Sequence, residues 1–189
     1  MTAKILILTA LESELAQSRA PDGVRVIYTG VGKVNTAIVT TQILSGEKPS
    51  LVVNYGTAGK IDTSLHGLVE ISHVIQRDMM TMPLAPRGTT PLSDGPQIFS
   101  SGAGSVVCGT GDSFVTAADP WLGENNVGVV DMELFAIASV CHRYGVRWRS
   151  FKFITDDANE SAPDHWTENV ANGEDLFWNV LTREILQTT

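Results

Sequence analysis

Residues 127–159 read VGVVDMELFAIASVCHRYGVRWRSFKFITDDAN, and the fold turns on this stretch. Val127–Val130 is a short apolar run of the buried-strand type, and it ends in Asp131-Met132-Glu133. A helical segment follows over about Met132–Tyr144, and Gly145 stops it. A second strand-like run, Val146–Ile154, ends in Thr155-Asp156-Asp157. Two strands with a helix between them therefore each end in carboxylates. Ligands of open α/β sheets bind at the carboxyl ends of strands, so Glu133 and Asp156 are the first residues to weigh.

Outward from this unit the same alternation continues. Lys4–Thr9 reads as a buried strand, and a helix is expected from about Leu11, with Thr9 as its N-cap and Glu12 and Glu14 in its first turn, where acids suit the dipole. Pro21–Gly23 would break it. Val24–Thr29 is a second strand, followed by Gly30-Val31-Gly32-Lys33 and a helix over about Val34–Leu44, with Val34, Ala37, Ile38, Thr41 and Leu44 as its inward stripe. A dinucleotide fingerprint would need a third glycine where Asn35 stands, so the Gly-x-Gly reads as a tight turn. Leu51–Tyr55 is a third strand, closed by a turn, Gly56-Thr57-Ala58-Gly59, whose small residues let a ligand approach main-chain N–H groups. Gly67–Ile75 is a fourth strand. Asp78–Gln97 has little periodicity and reads as a loop, its Met79, Met80 and Met82 serving either as core filling or as the apolar lining of a pocket or subunit contact. Ser105–Thr110 is another strand, Ala117–Asn126 a turn-rich connection, and Ala162–Gln187 a final helix with a break at Gly173. The expectation is one α/β domain over residues 1–189, with a largely parallel or mixed sheet in three layers.

The 189 residues suffice to bury a sizeable core, and 43% hydrophobic with 18% charged residues is ordinary for a globular chain. A formal net charge of -8 argues against a general nucleic-acid binder but not against a small uncharged ligand. Cys108 and Cys141 lie in apolar runs and read as buried thiols. The first residues lack the logic of a signal peptide, and no run approaches the ~18 apolar residues of a membrane span, so a cytoplasmic protein with no membrane partner is expected. His66, His73, His142 and His165 are scattered, and neither a metal nor a cofactor is expected.

Six segments in order carry a family resemblance: ALESE (Ala10–Glu14), TGVGKVNTA (Thr29–Ala37), NYGTAGKID (Asn54–Asp62), TGDSFV (Thr110–Val115), VVDMELFAIA (Val129–Ala138) and FITDDA (Phe153–Ala158). With them the chain resembles the nucleoside phosphorylase and nucleosidase superfamily, most closely the 5'-methylthioadenosine/S-adenosylhomocysteine nucleosidases. The resemblance implies a three-layer α/β/α sandwich around a twisted mixed sheet, a purine nucleoside as the small-molecule partner, and a homodimer or higher oligomer.

It also implies roles. N-glycosidic cleavage gives the ribose oxocarbenium character and the leaving base negative charge, so it needs an acid, a nucleophile and a grip on the sugar. Asp156 corresponds to the general acid that protonates the purine; by residue type alone it could equally be a helix N-cap. Glu133 corresponds to the ribose-binding glutamate and Met132 to the residue packed over the sugar; without the resemblance Glu133 reads as a first-turn helix acid. Glu14 corresponds to the base that activates water, although alone it reads as a solvated acid. Thr57 and Gly59 belong to the nucleophile-side turn. Phe114 corresponds to the purine-stacking aromatic, or otherwise a core aromatic, and Val115 to a main-chain contact with the base edge. Asp131 reads as an N-cap, Asp157 as a bystander, and Lys33 and Lys152 as structural or solvated. Phosphorylases of the superfamily carry an arginine two residues before the Gly-[ST]-x-Gly segment, where this chain has Asn54; with Glu14 present this favours hydrolysis. A phosphorylase, a futalosine hydrolase-type enzyme and a non-catalytic nucleoside-binding module are the alternatives.

Overall fold

A computed structural model describes residues 5–187; Lys4, expected at the head of the first strand, lies outside them. Eight strands form one mixed sheet: β1 (Ile5–Thr9), β2 (Val24–Tyr28), β3 (Leu51–Lys60), β4 (Leu68–Gln76), β5 (Ile98–Ser100), β6 (Val106–Thr110), β7 (Val127–Asp131) and β8 (Trp148–Asp156). The order is β2-β1-β3-β7-β6-β4-β5, and β8 pairs with both β3 and β4. Pairing therefore closes on itself through β3, β8, β4, β6 and β7. β3 is parallel to β8 from Val52 to Gly59, and its last residues turn to an antiparallel seam with β7 at Gly59–Val130 and Lys60–Val129.

Alternate side chains of the sheet feed two cores, as a period of two requires. Leu6 and Leu8 face a cluster with Leu44 of α1 (Lys33–Gly46) and Leu134, Ile137, Ala138 and Cys141 of α3 (Leu134–Tyr144). Ile5 and Ile7 face the other way, onto Phe177 and Trp178 of α5 (Glu174–Val180) and Leu181 and Ile185 of the π-helical turn that follows. This is the expected α/β arrangement with helices on both faces. Gly145 ends α3 in the left-handed conformation at φ 63°, as its position in the sequence predicts. Both cysteines are free and buried.

Several local expectations are corrected. No α-helix follows β1. The chain makes a turn and a short 3₁₀ segment at Gln17–Arg19, and the buried Glu14 folds back so that its Oε2 takes the N–H groups of Ala10 and Leu11. Gly56–Gly59 is not a turn: β3 continues through it, and flat small residues let β8 pair along its whole length. α1 buries Thr36, Thr40 and Leu44, whereas Val34 and Ile38 are 68% and 52% exposed. Met80 and Met82 are exposed rather than core. Residues 117–126 contain α2 (Pro120–Glu124), started by Asp119, whose side chain accepts from the Trp121 N–H. The tail does break before Gly173, as expected, into α4 (Ala162–Asn169) and α5. The short β5 was not expected at all.

Candidate active site

A cavity of about 270 Å³ lies where β1, β3, β6, β7 and β8 end. Glu14, Thr57, Gly59, Phe114, Val115, Met132, Glu133 and Asp156 all line it, so the eight residues singled out from sequence meet in one place. They arrive from five separated segments, and only the sheet connects them.

Glu14 is buried, and its carboxylate is held on both oxygens. Oε2 accepts from the Thr9 hydroxyl and from the Ala10 and Leu11 N–H groups, each at 3.1 Å. Oε1 accepts from the Thr57 N–H at 3.0 Å and the Thr57 hydroxyl at 2.9 Å. The reading of Glu14 as a solvated acid is thereby excluded. Glu12 is exposed.

Asp156 closes β8. Its Oδ1 accepts from the Ala158 N–H at 2.9 Å and its Oδ2 from the Thr155 hydroxyl at 2.9 Å. Helix α4 begins only at Ala162, so Asp156 is no helix cap. Gly59 lies directly against it: a Cβ there would sit 2.6 Å from Asp156 Oδ1. Asp157 points away and pairs with Lys60 at 3.0 Å.

Glu133 accepts at Oε1 from the Gly32 N–H at 2.9 Å. The Gly30-Val31-Gly32 turn thus presents main chain to this carboxylate rather than to a dinucleotide. Gly32 holds φ 90°, a conformation side chains rarely adopt, and a Cβ there would crowd Asp112 Oδ1 at 3.2 Å. Burial, helped by nearby Asp131, pushes the Glu133 carboxyl up to about 7, against the pull of Lys152 and the Gly32 N–H.

Behind Glu133 lies a buried pair that the sequence reading set aside. Lys152 is 1% exposed, and its Nζ meets Asp131 Oδ2 at 2.7 Å, so of its two readings, structural or solvated, the structural one holds. Asp131 also accepts from the Leu134 N–H at 2.9 Å, but it closes β7 and the N-cap position of α3 is Glu133, so its reading as the N-cap is corrected: it serves the first turn from the strand end. Burial alone would raise the Asp131 carboxyl and lower the Lys152 ammonium. Their mutual attraction outweighs it, leaving the first below and the second above its ordinary range. Lys152 Nζ and Glu14 Oε1 both approach the Gly56 Cα hydrogen face, where a Cβ would lie 3.3 and 3.4 Å from them.

Phe114 is 46% exposed and lines the cavity, so it is not a core aromatic. The segment leading to it is fixed from beneath by the buried Arg77, whose guanidinium donates to the Gly111 carbonyl at 3.0 Å and to Ser113. Lys33 joins this support through Asp78.

Sequence reasoning missed Trp166, Leu11, Val31 and Ser113 in the cavity wall. For Trp166 a signal existed: a lone indole in the polar run Ser161–Asn169, soon after Asp156. No Lys, Arg or His is among the lining residues. Such a cavity can seat an uncharged, flat and hydroxylated ligand among carboxylates, and it offers nothing to an anion.

Comparisons with known proteins agree with this geometry. Residues 93–183 match the family model described as Phosphorylase superfamily. The 5'-methylthioadenosine/S-adenosylhomocysteine nucleosidases of Staphylococcus aureus strains bovine RF122 / ET3-1 and MRSA252 are 29% identical, covering 72% of this chain and 70% of theirs. Among solved structures, the Helicobacter pylori nucleosidase of that name with butyl-thio-DADMe-Immucillin-A has a TM-score of 0.84 at 21% identity, covering 98% of this chain and 100% of that one. The native futalosine hydrolase of Helicobacter pylori strain 26695 has a TM-score of 0.85 at 21% identity, covering 98% and 99%. At such identities the solved structures speak for the fold.

Proposed function

We infer that this chain is a member of the nucleoside phosphorylase superfamily and that it hydrolyses the N-glycosidic bond of a 6-amino purine nucleoside such as 5'-methylthioadenosine or S-adenosylhomocysteine, releasing adenine. The observation that carries the reading is Glu14, a buried carboxylate held by five donors and facing the same cavity as Asp156 and Glu133, with no cation in the wall. A phosphorylase must hold phosphate, which this wall would repel. The names of the curated relatives support the same reaction.

In this reading the purine stacks on Phe114, with the Val115 main chain at its edge. Glu133 accepts from the vicinal ribose hydroxyls, and Met132 packs over the sugar. As the C1'–N9 bond breaks, its electron pair moves into the purine and Asp156 delivers a proton to N7. Water attacks C1' and gives a proton to Glu14, leaving a 5-substituted ribose and neutral adenine. Thr57 and Gly59 shape the nucleophile side and the seat of Asp156. The whole chain acts as one domain, in the cytoplasm. The exposed Val34 and Ile38 stripe of α1 suits a second copy of the chain in a homodimer.

The test is a phosphate-free assay of base release over methylthioadenosine, adenosylhomocysteine, adenosine, inosine and futalosine. Adenine release from the first two, cut about 10²- to 10⁴-fold in Asp156→Asn, is expected. Strict dependence on phosphate would make the protein a phosphorylase, and binding without release a nucleoside-binding module. Release of base from futalosine alone would assign the futalosine hydrolase reaction.

A further inference from the structure

Helix α4, which follows β8, lies on the sheet end beside both halves of the site. Asn169 Nδ2 donates to the Thr155 carbonyl at 3.2 Å, next to Asp156. One turn earlier the half-buried Trp166 lines the cavity, and its Nε1–H donates to Thr57 Oγ1 at 2.8 Å. The same oxygen lies 2.9 Å from Glu14 Oε1.

We propose that Trp166 is a positioning residue for the water-activating carboxylate, acting through the Thr57 hydroxyl on Glu14. The proposal rests on the hydrolase reading above. Its logic is the donor inventory. An indole N–H can only donate, and a hydroxyl has one proton to give. When Thr57 Oγ1 accepts from Trp166, its own proton must go elsewhere, and Glu14 Oε1 is the acceptor in reach. The chain of bonds therefore has one direction, Trp166 to Thr57 to Glu14. The Thr57 N–H reaches the same oxygen at 3.0 Å, so Oε1 is fixed from two sides by one residue. Without the indole the Thr57 hydroxyl is free to rotate towards the cavity, leaving the Thr57 N–H alone on Glu14 Oε1.

Packing alone does not account for this residue. Phe177, Trp178, Leu181 and Ile185 of the tail sit in the core beneath the sheet. Trp166 instead turns to the cavity, on a helix otherwise polar, and spends its only polar atom on Thr57. A phenylalanine would fill the same wall but could not set the hydroxyl.

The experiment is a double-mutant cycle on steady-state adenine release from methylthioadenosine, using the full chain and circular dichroism to check folding. Trp166→Phe is expected to lower kcat about tenfold while moving KM less than about twofold, as loss of one well-placed hydrogen bond does. Thr57→Val lowers kcat at least as far, and adding Trp166→Phe to it costs nothing more. Thr57→Ser, which keeps the hydroxyl, stays as sensitive to Trp166→Phe as the wild type. An equal loss from Trp166→Phe with and without the Thr57 hydroxyl, a change confined to KM, or no change overturns the positioning role while leaving the hydrolase reading intact. A wild type that releases no adenine without phosphate overturns both.

Discussion

Four carboxylates, Glu14, Asp131, Glu133 and Asp156, line one cavity, and each is kept distinct by its own donors. Burial pushes the Glu133 carboxyl up towards neutrality. Its folded value of about 7 lies above its ordinary 4.5, so the folded chain holds a proton there that the unfolded chain loses first. The stability it contributes is fully present below about 4.5 and is lost as pH rises through about 7. Urea midpoints measured from pH 4.5 to 8 are therefore expected to carry a falling contribution that Glu133→Gln removes. Ribose hydroxyls need the ionised form, so kcat/KM is expected to rise through the same window, and the substitution costs about 10²-fold through lost orientation. Lys152→Met has a different signature. It leaves Asp131 buried without its partner, and a loss of about 3–5 kcal/mol is expected in denaturant titration. Glu133 and Asp156 were legible in the sequence because strand ends carry ligands, whereas Glu14 was reached only through the family resemblance. The burial of Lys152 was not, since a lysine in the alternating run Arg149–Ile154 gives no sign of which face it takes.

At the scale of elements, β3 does the joining. It carries Thr57 on the nucleophile side and Gly59 against the acid, and it can do so only because Gly56-Thr57-Ala58-Gly59 stays extended between β8 and its neighbours. Gly59→Ala puts a methyl 2.6 Å from Asp156 Oδ1, so that carboxyl must move. The expected outcome is a fold retained by circular dichroism with kcat lowered by about 10²-fold, the usual cost of misplacing a reacting group. Sequence read this segment as a turn, because glycine-rich tetrads usually break strands. What rescued it is tertiary: a strand partner along its full length outweighs local propensity. The missing helix after β1 has the same origin. Leu11–Ala20 looks helical, but Glu14 is drawn into the interior, where its carboxylate accepts from Ala10 and Leu11 and from Thr57 of β3.

At the scale of the molecule, the two faces of the sheet were foreseeable from the alternation of strands and helices, whereas the outward turn of α1 was not. Its buried positions are Thr36, Thr40 and Leu44, and the Thr36 hydroxyl meets that of Thr29, contacts that a hydropathy pattern cannot see. Val34 and Ile38 are left on the surface four residues apart, on one helical face. On the homodimer reading proposed above, replacing both by Asp is expected to give a monomer in light scattering where the wild type gives a dimer, with the helix content unchanged.

The closed pairing of β3, β8, β4, β6 and β7 bears on how the protein breathes. A strand within a ring has no free edge from which to fray, whereas β2 and β5 each have one. Amide protons of β3 and β8 are thus expected to exchange with solvent deuterium only when the whole chain opens, and those of β2 and β5 by local excursions. Thr57, Gly59, Asp131 and Asp156 belong to the slow class. The chemistry is anchored to the part of the molecule that opens least often, and the parts free to fluctuate, the sheet margins, can drift in sequence without moving it.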